Sequence, residues 1–410
     1  MKTSMDRQGA AFFLGWLVAT WAPPLVVAGM TALREGRSLG DVLCAPGATP
    51  FSVTGVAVLT ALLLGVMGAR RWPEPWRGWV ERHGWRLWTV SLLMLMPYVL
   101  AWLTRSSACR RGPAFFWESI FIETFILALL AVSYNLVFGF AGILSFGHAA
   151  FFGLGAYVTG LLMKHLGWNL FLSGAVALLT GALLGLFMSL VALRTRGLYF
   201  ALFSLALAEV IHMLARNRIL VHITGAEDGF VFAVPAWINP VRHRLLFYYL
   251  ALVSLVVAFA FVYRLLLSPT GRVFLALRDN ETRAQMLGFG PLGYKTFALV
   301  ISGLLAAYAG VLRALLNKGA SPNVLSLDFT MDPLLMTILG GTATFDGPVV
   351  GAFLLRFMEY LLRNAQFRVG PWSVNLGEHW ALLLGLLFIA AVLLFPQGLM
   401  GSRQKGQEIS

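Results

Sequence analysis

The chain has 410 residues, of which 59% are hydrophobic and 12% charged, with a mean hydropathy of +0.77. A charged share about half the roughly 25% of soluble chains excludes a water-soluble fold and gives most of the surface to lipid or neighbouring helices. The net charge of +13 rests almost wholly on arginine, with lysine only at 2, 164, 295, 318 and 405; these cations are scattered among membrane-edge positions, which excludes nucleic acid and suits the headgroups of membrane lipid.

Residues 1–30 place Lys2 and Arg7 ahead of an apolar run, the layout of a secretory signal, but Pro23, Pro24 and the many later spans favour a retained first helix. Apolar runs long enough, or nearly so, to cross the hydrocarbon core lie at 10–30, 51–69, 87–103, 116–138, 149–166, 170–193, 198–215, 246–267, 296–316, 349–362 and 381–395. They predict an all-α fold, a polytopic transmembrane helical bundle of about 10–11 spans with some helices broken by glycine. Residues 331–341 are too short for a crossing and read as a half-helix buried in protein. The polar loops 70–86, 216–244 and 268–295 are each too short to fold a core, so the chain is one membrane domain.

From Tyr134 to Tyr157, glycines at 139, 142, 147, 153 and 155 interrupt an apolar helical pattern. In lipid they serve either close helix packing or unwinding beside a cavity. At such a break Asn135, Ser145 and His148 supply side-chain hydrogen bonds and are candidate pathway residues; the competing reading for His148 is a histidine satisfied between packed helices. Among the intramembrane acids Glu118, Glu123, Glu209 and Glu359, Glu209 beside Ile211 and His212 is the one to line a pathway, with an interhelical arginine pair as its alternative. A second glycine-rich segment, Ile338 to Ala352, follows about two hundred residues later. Paired breaks of this kind point to a duplicated core around a central pathway, although glycine-rich membrane helices also arise from packing alone.

Between two apolar runs sits a compact polar insert from Ser268 to Gly288. Asp279 or Asn280 can cap a short helix, Glu281 complements its positive end, and Gly288 with Pro291 stops it. Val273, Phe274 and Leu277 before the tip, and Ala284 and Leu287 after it, form an apolar face for neighbouring protein, leaving the turn from Arg278 to Arg283 to point outward. The insert reads as a docking helix for another protein or as a solvated loop. If loop 268–295 is cytoplasmic, counting crossings puts Arg194, Arg196 and loop 70–86 on the same side. Arg105, Arg110, Arg111, Arg216, Arg218, Arg242 and Arg244 then fall opposite, so the charge rule does not choose a face. Cys44 and Cys109 also fall together on that opposite side, open to a disulfide or to two separate thiols.

No lysine follows a glycine, so the chain has no phosphate loop for ATP. The seven histidines sit in separate segments, and neither a metal helix nor a nucleophile elbow is present, so the reading is of a non-enzyme without metal or cofactor. Energy must come from a partner or from an ion gradient, and a secondary carrier is the alternative from a second class.

The combination of Asn135 through Tyr157, Gly197-Leu198-Tyr199-Phe200-Ala201 with Glu209, Thr224-Gly225 with Asp228-Gly229, and Gly271-Arg272 with Ala276 through Glu281 resembles a known family. Leu287-Gly288, Leu339-Gly340-Gly341, Gly347-Pro348 and Pro396-Gln397-Gly398-Leu399 extend the likeness over about 116–399. The family is that of the inner-membrane permease subunits of branched-chain amino-acid ABC transporters, of the type with extra N-terminal helices. The resemblance implies extra transmembrane helices at 1–110, a permease core at 111–400 with coupling loop 268–295, and a cytoplasmic tail at 401–410. It implies a bacterial cytoplasmic (inner) membrane location and ATP-driven import of branched-chain or other small amino acids, with urea or short amides as the alternative cargo. It also implies a sister permease subunit, two cytoplasmic ATP-binding subunits and an extracytoplasmic solute-binding protein. By the same likeness Thr224 joins Asn135, Ser145, His148 and Glu209 along the pathway, and Arg278, Asp279, Asn280, Glu281 and Arg283 form the coupling helix. Ala226 and Ala343 stand where the family has glycine; alanine resists positive φ, so both turns are expected to be shaped differently.

Overall fold

The computed structural model describes residues 74–104, 112–192, 195, 197–364, 366–369, 372–375 and 379–401. The expected spans 10–30 and 51–69, Cys44, Cys109, Arg194, Arg196 and the tail after Gly401 lie outside the described residues.

The helices are α1 (Glu74–Leu103), α2 (Pro113–Asn135), α3 (His148–His165), α4 (Leu170–Ala192), α5 (Leu198–Arg216) and α6 (Arg244–Leu267). They continue with α7 (Pro269–Asp279), α8 (Glu281–Met286), α9 (Pro291–Asn317), α10 (Asp328–Gly340), α11 (Gly347–Asn364) and α12 (Trp380–Leu394). Among the described residues, Pro113–Phe140, α4, α5, α6 and α9 are long and apolar enough to cross a membrane. The fold is the polytopic helical bundle that composition demands. The short α10, about 20 Å at 1.5 Å per residue, is the half-helix expected near 331–341. Two antiparallel strand pairs depart from a purely helical reading: β1 (Phe230–Val231) with β2 (Gly319–Ala320), and the hairpin β3 (Gln366–Val369) with β4 (Trp372–Asn375).

The described part of the chain divides into two compact units. The first holds α1 and the opening turns of α2 and α6. Its core packs Tyr98, Leu100, Ala101 and Ala114 with Trp117, Phe121, Leu245 and Tyr249. Pro97 inside α1 has no N–H to give the carbonyl of Leu93, and the Tyr248 hydroxyl donates to that oxygen instead at 2.6 Å. Tyr249 donates to the next carbonyl, Met94, at 2.8 Å.

The second unit holds residues 122–240 and those from 253 onward. Its centre is α9 against α3 and α4, and small residues set the spacing. A Cβ on Gly155 would lie 2.1 Å from the Ala307 carbonyl oxygen, and one on Gly310 would lie 1.9 Å from that of Phe152, so glycine there lets backbones touch. Both uses of glycine weighed from the sequence therefore occur: packing along α3 and, before it, an unwound segment. The hairpin of α10 and α11 closes the unit, with Gly351 against the Met336 carbonyl.

Candidate transmission site and pathway

The first break begins where α2 widens into a π-helical turn, Leu136–Phe140, with the Ala141 N–H reaching back to the Leu136 carbonyl at 3.1 Å. Residues 141–147 are then non-helical until α3 starts at His148. Unwound backbone away from water must find partners. Phe146 donates its N–H to Ser204 Oγ of α5 at 2.9 Å, and its carbonyl accepts from Thr330 Oγ1 of α10 at 3.2 Å. The same Thr330 oxygen accepts the Ala149 N–H at 2.8 Å, and Ser145 Oγ accepts that of Gly147 at 3.2 Å.

Asn135, at the head of this break, grips the second one. Its Nδ2 donates to the Thr344 carbonyl at 2.9 Å, and its Oδ1 accepts the Ala343 N–H at 3.1 Å. Residues 341–346 are the turn between α10 and α11, so one buried amide joins segments more than two hundred positions apart. The chain end joins the same place: Leu399 and Met400 donate to the carbonyls of Leu339 and Gly340.

The polar insert lies against the first break. It forms two helices rather than one, because Asn280 adopts an extended conformation and its side chain accepts the Arg283 N–H at 2.9 Å. Asn280 is the cap of α8, and Asp279 is the last residue of α7 and caps nothing. Val273, Leu277 and Ala284 pack with Tyr294, and Glu281 pairs with Lys295 at 2.9 Å, which fixes the knob to the start of α9. Two expectations are corrected. Leu287 is 70% exposed, so the apolar face ends at Ala284. Arg278 turns back instead of pointing outward: its guanidinium donates to the Gly139 carbonyl at 2.8 Å, and its stem lies over Gly142. Gly142 has φ +69°, and a Cβ there would stand 2.7 Å from Arg278 Cγ. Asp279 and Arg283 remain at the exposed tip.

A family model described as the permease component of the branched-chain amino acid transport system matches residues 116–392. The chain belongs to this family. It is 29% identical over 342 residues to the high-affinity branched-chain amino acid transport system permease protein LivM of Escherichia coli, covering 77% of this chain and 75% of that one. The Salmonella typhimurium protein of the same name is also 29% identical, over 304 residues and 68% of each chain. The autoinducer 2 import system permease protein LsrC of Yersinia enterocolitica is 28% identical over 287 residues, covering 67% of this chain and 73% of that one. No solved structure matches.

Within this permease fold the residues expected along the pathway separate. His148 is fully buried: its Nε2 lies 2.9 Å from Ser302 Oγ, which donates to the Ser133 carbonyl at 2.7 Å, and its ring meets Tyr134 edge-on. That is the interhelical arrangement. Glu209 is 46% exposed on α5 and lies 3.4 Å from His212 one turn on, with no arginine paired to it among the described residues. Thr224 ends the helical turn Val221–Thr224 and accepts the Ala226 N–H at 3.3 Å. Asn135 borders a small crevice lined also by Phe140, Phe259, Tyr263, Phe345 and Pro348. Ala226 and Ala343 take φ of +47° and +57°, so both alanines adopt the left-handed backbone that alanine resists. 

Sequence reasoning missed an ion network. Glu123 of α2 accepts from Arg313 of α9 at 2.5 Å and from Arg356 of α11 at 3.0 Å. Arg356 also pairs with Glu359 at 2.5 Å, and Glu359 with Arg363 at 2.8 Å. Arg356, Glu359 and Arg363 share one helix face by their spacing, and that was the available signal.

Proposed function

We propose that the chain is a membrane-spanning subunit of an ATP-driven importer, pushed through the α7–α8 knob by separate ATP-binding subunits. The observation that carries this reading is the run of contacts from knob to breaks: Arg278 on Gly139, then Asn135 on Ala343 and Thr344. A rigid-body push on the knob would move the π-turn and, through Asn135, the half-helix α10. Asn135, with Ser145, borders the moving break, whereas His148 ties helices beside it and Glu209 and Thr224 bond within their own segments. The proposal includes a sister permease, two cytoplasmic ATP-binding subunits, a solute-binding protein and a bacterial cytoplasmic membrane location, with extra helices at 1–110 and a cytoplasmic tail at 401–410.

The cargo under this proposal is a branched-chain or other small amino acid; the names of the LivM relatives give the branched-chain class. The LsrC relatives, named for autoinducer 2 import, favour a second reading in which the cargo is not an amino acid. Uptake of radiolabelled leucine against autoinducer 2 separates them. The coupling assignment is tested by reversing the exposed tip charges, Asp279→Arg with Arg283→Glu, sparing Glu281 because it also anchors Lys295. Assembly with the ATPases should fall and uptake with it, while membrane insertion persists; unchanged uptake would remove the assignment. Uptake that collapses with the proton gradient at constant ATP would instead favour a secondary carrier.

A further inference from the structure

The ion network stands far from the knob. Glu123 of α2 precedes Gly139 of the π-turn by sixteen residues, roughly 20 Å or more along the helix at about 1.5 Å per residue, and Arg313 follows Lys295 by eighteen on α9, roughly 27 Å. Two long helices thus carry a knob contact at one end and a network contact at the other. The hairpin partner α11 supplies Arg356, Glu359 and Arg363, and Asp332 of α10 lies within electrostatic reach of Arg356. Three acids therefore balance three arginines where α2, α9, α10 and α11 converge.

Such a network is a poor permanent brace, because desolvating the charges offsets much of their attraction and apolar side chains of like volume hold helices at least as well. It is a good breakable one. Glu123 is 32% exposed, so water can take over its hydrogen bonds as the helices part. Arg313 lies 5.9 Å over the Phe329 ring and keeps that cation–π contact when Glu123 leaves, while Arg363, 4.0 Å over the Trp380 ring, stays with Glu359 on α11.

Resting on the permease reading, we infer that the Glu123–Arg313–Arg356–Glu359 network is the gate at the end of the core opposite the knob, and that its closed state is held by Glu123. Movement of α2 and α9 driven from the knob separates Glu123 from the two arginines and admits solute. Glu123 is then a positioning residue for transport, acting through the helices it ties.

The test uses the complete transporter in proteoliposomes. Glu123→Gln is expected to raise ATP hydrolysis in the absence of the solute-binding protein by about tenfold, since weakening the closed state shifts a two-state equilibrium. Arg313→Gln should raise it as well, and the double variant should add little to Glu123→Gln because the Glu123–Arg313 pair is already broken in it. Glu123→Asp should restore low hydrolysis. A merely structural brace would lower thermal stability and leave hydrolysis low, which would overturn the gate. For the converse experiment, Glu123→Cys and Arg313→Cys are placed in a chain carrying Cys44→Ser and Cys109→Ser, and joined by a bis-thiosulfonate reagent spanning the former ion pair. Leucine uptake should stop on cross-linking and resume on reduction. Continued uptake in the cross-linked state would overturn the gate while leaving the permease reading intact, whereas failure of the unmodified assembly to take up any solute tried would overturn both.

Discussion

Asn135 and Ala343 show how much rests on single side chains. Asn135 satisfies two backbone groups of the second turn, and replacing it by leucine orphans both at a cost of roughly 1–3 kcal/mol each. Asn135→Leu should therefore lower the thermal midpoint of the purified protein by several degrees, and a midpoint within a degree of wild type would remove the clasp. Ala343 holds φ +57°, where a non-glycine residue costs roughly 1–2 kcal/mol. Ala343→Gly should raise stability by about 0.5–1 kcal/mol after glycine's own entropic cost, read in the same melt. The sequence singled out Asn135 for its polarity among apolar neighbours. Its partner was not legible there, because the contact joins positions 208 and 209 apart and nothing local encodes that pairing. At Ala343 local preference argues against positive φ, and the clasp on its N–H overrides that preference.

At the scale of the element, breaks and caps were the readable features. Glycines at 139, 142 and 147 located the end of α2, and the apolar run 331–341 located the half-helix α10, because both depend on local composition. The knob was legible as helical but not as two helices, since Asp279 and Asn280 are equally good caps by type and only the backbone distinguishes them. Asn280→Ala should cost about 1 kcal/mol of local helix stability, and faster amide exchange across α8 with unchanged exchange in α9 would register it. The ion network escaped because Glu123 and Arg356 lie 233 residues apart, and charges within apolar helices are read singly until the fold brings them together.

For the whole molecule, the second unit is a set of helices tied at both ends, with the knob at one and the ion network at the other. Fold class and family were legible because hydropathy and the glycine-rich segments are distributed along the chain; the mechanical links were not, because each is a contact between distant segments. The most direct measurement is the ratio of solute taken up to ATP hydrolysed by the complete transporter carrying Arg278→Met, which keeps the stem over Gly142 but loses the donor to Gly139. Uptake should fall about tenfold while hydrolysis stays near the wild-type rate, the signature of force no longer reaching the breaks. An unchanged ratio of uptake to hydrolysis would contradict transmission through this contact.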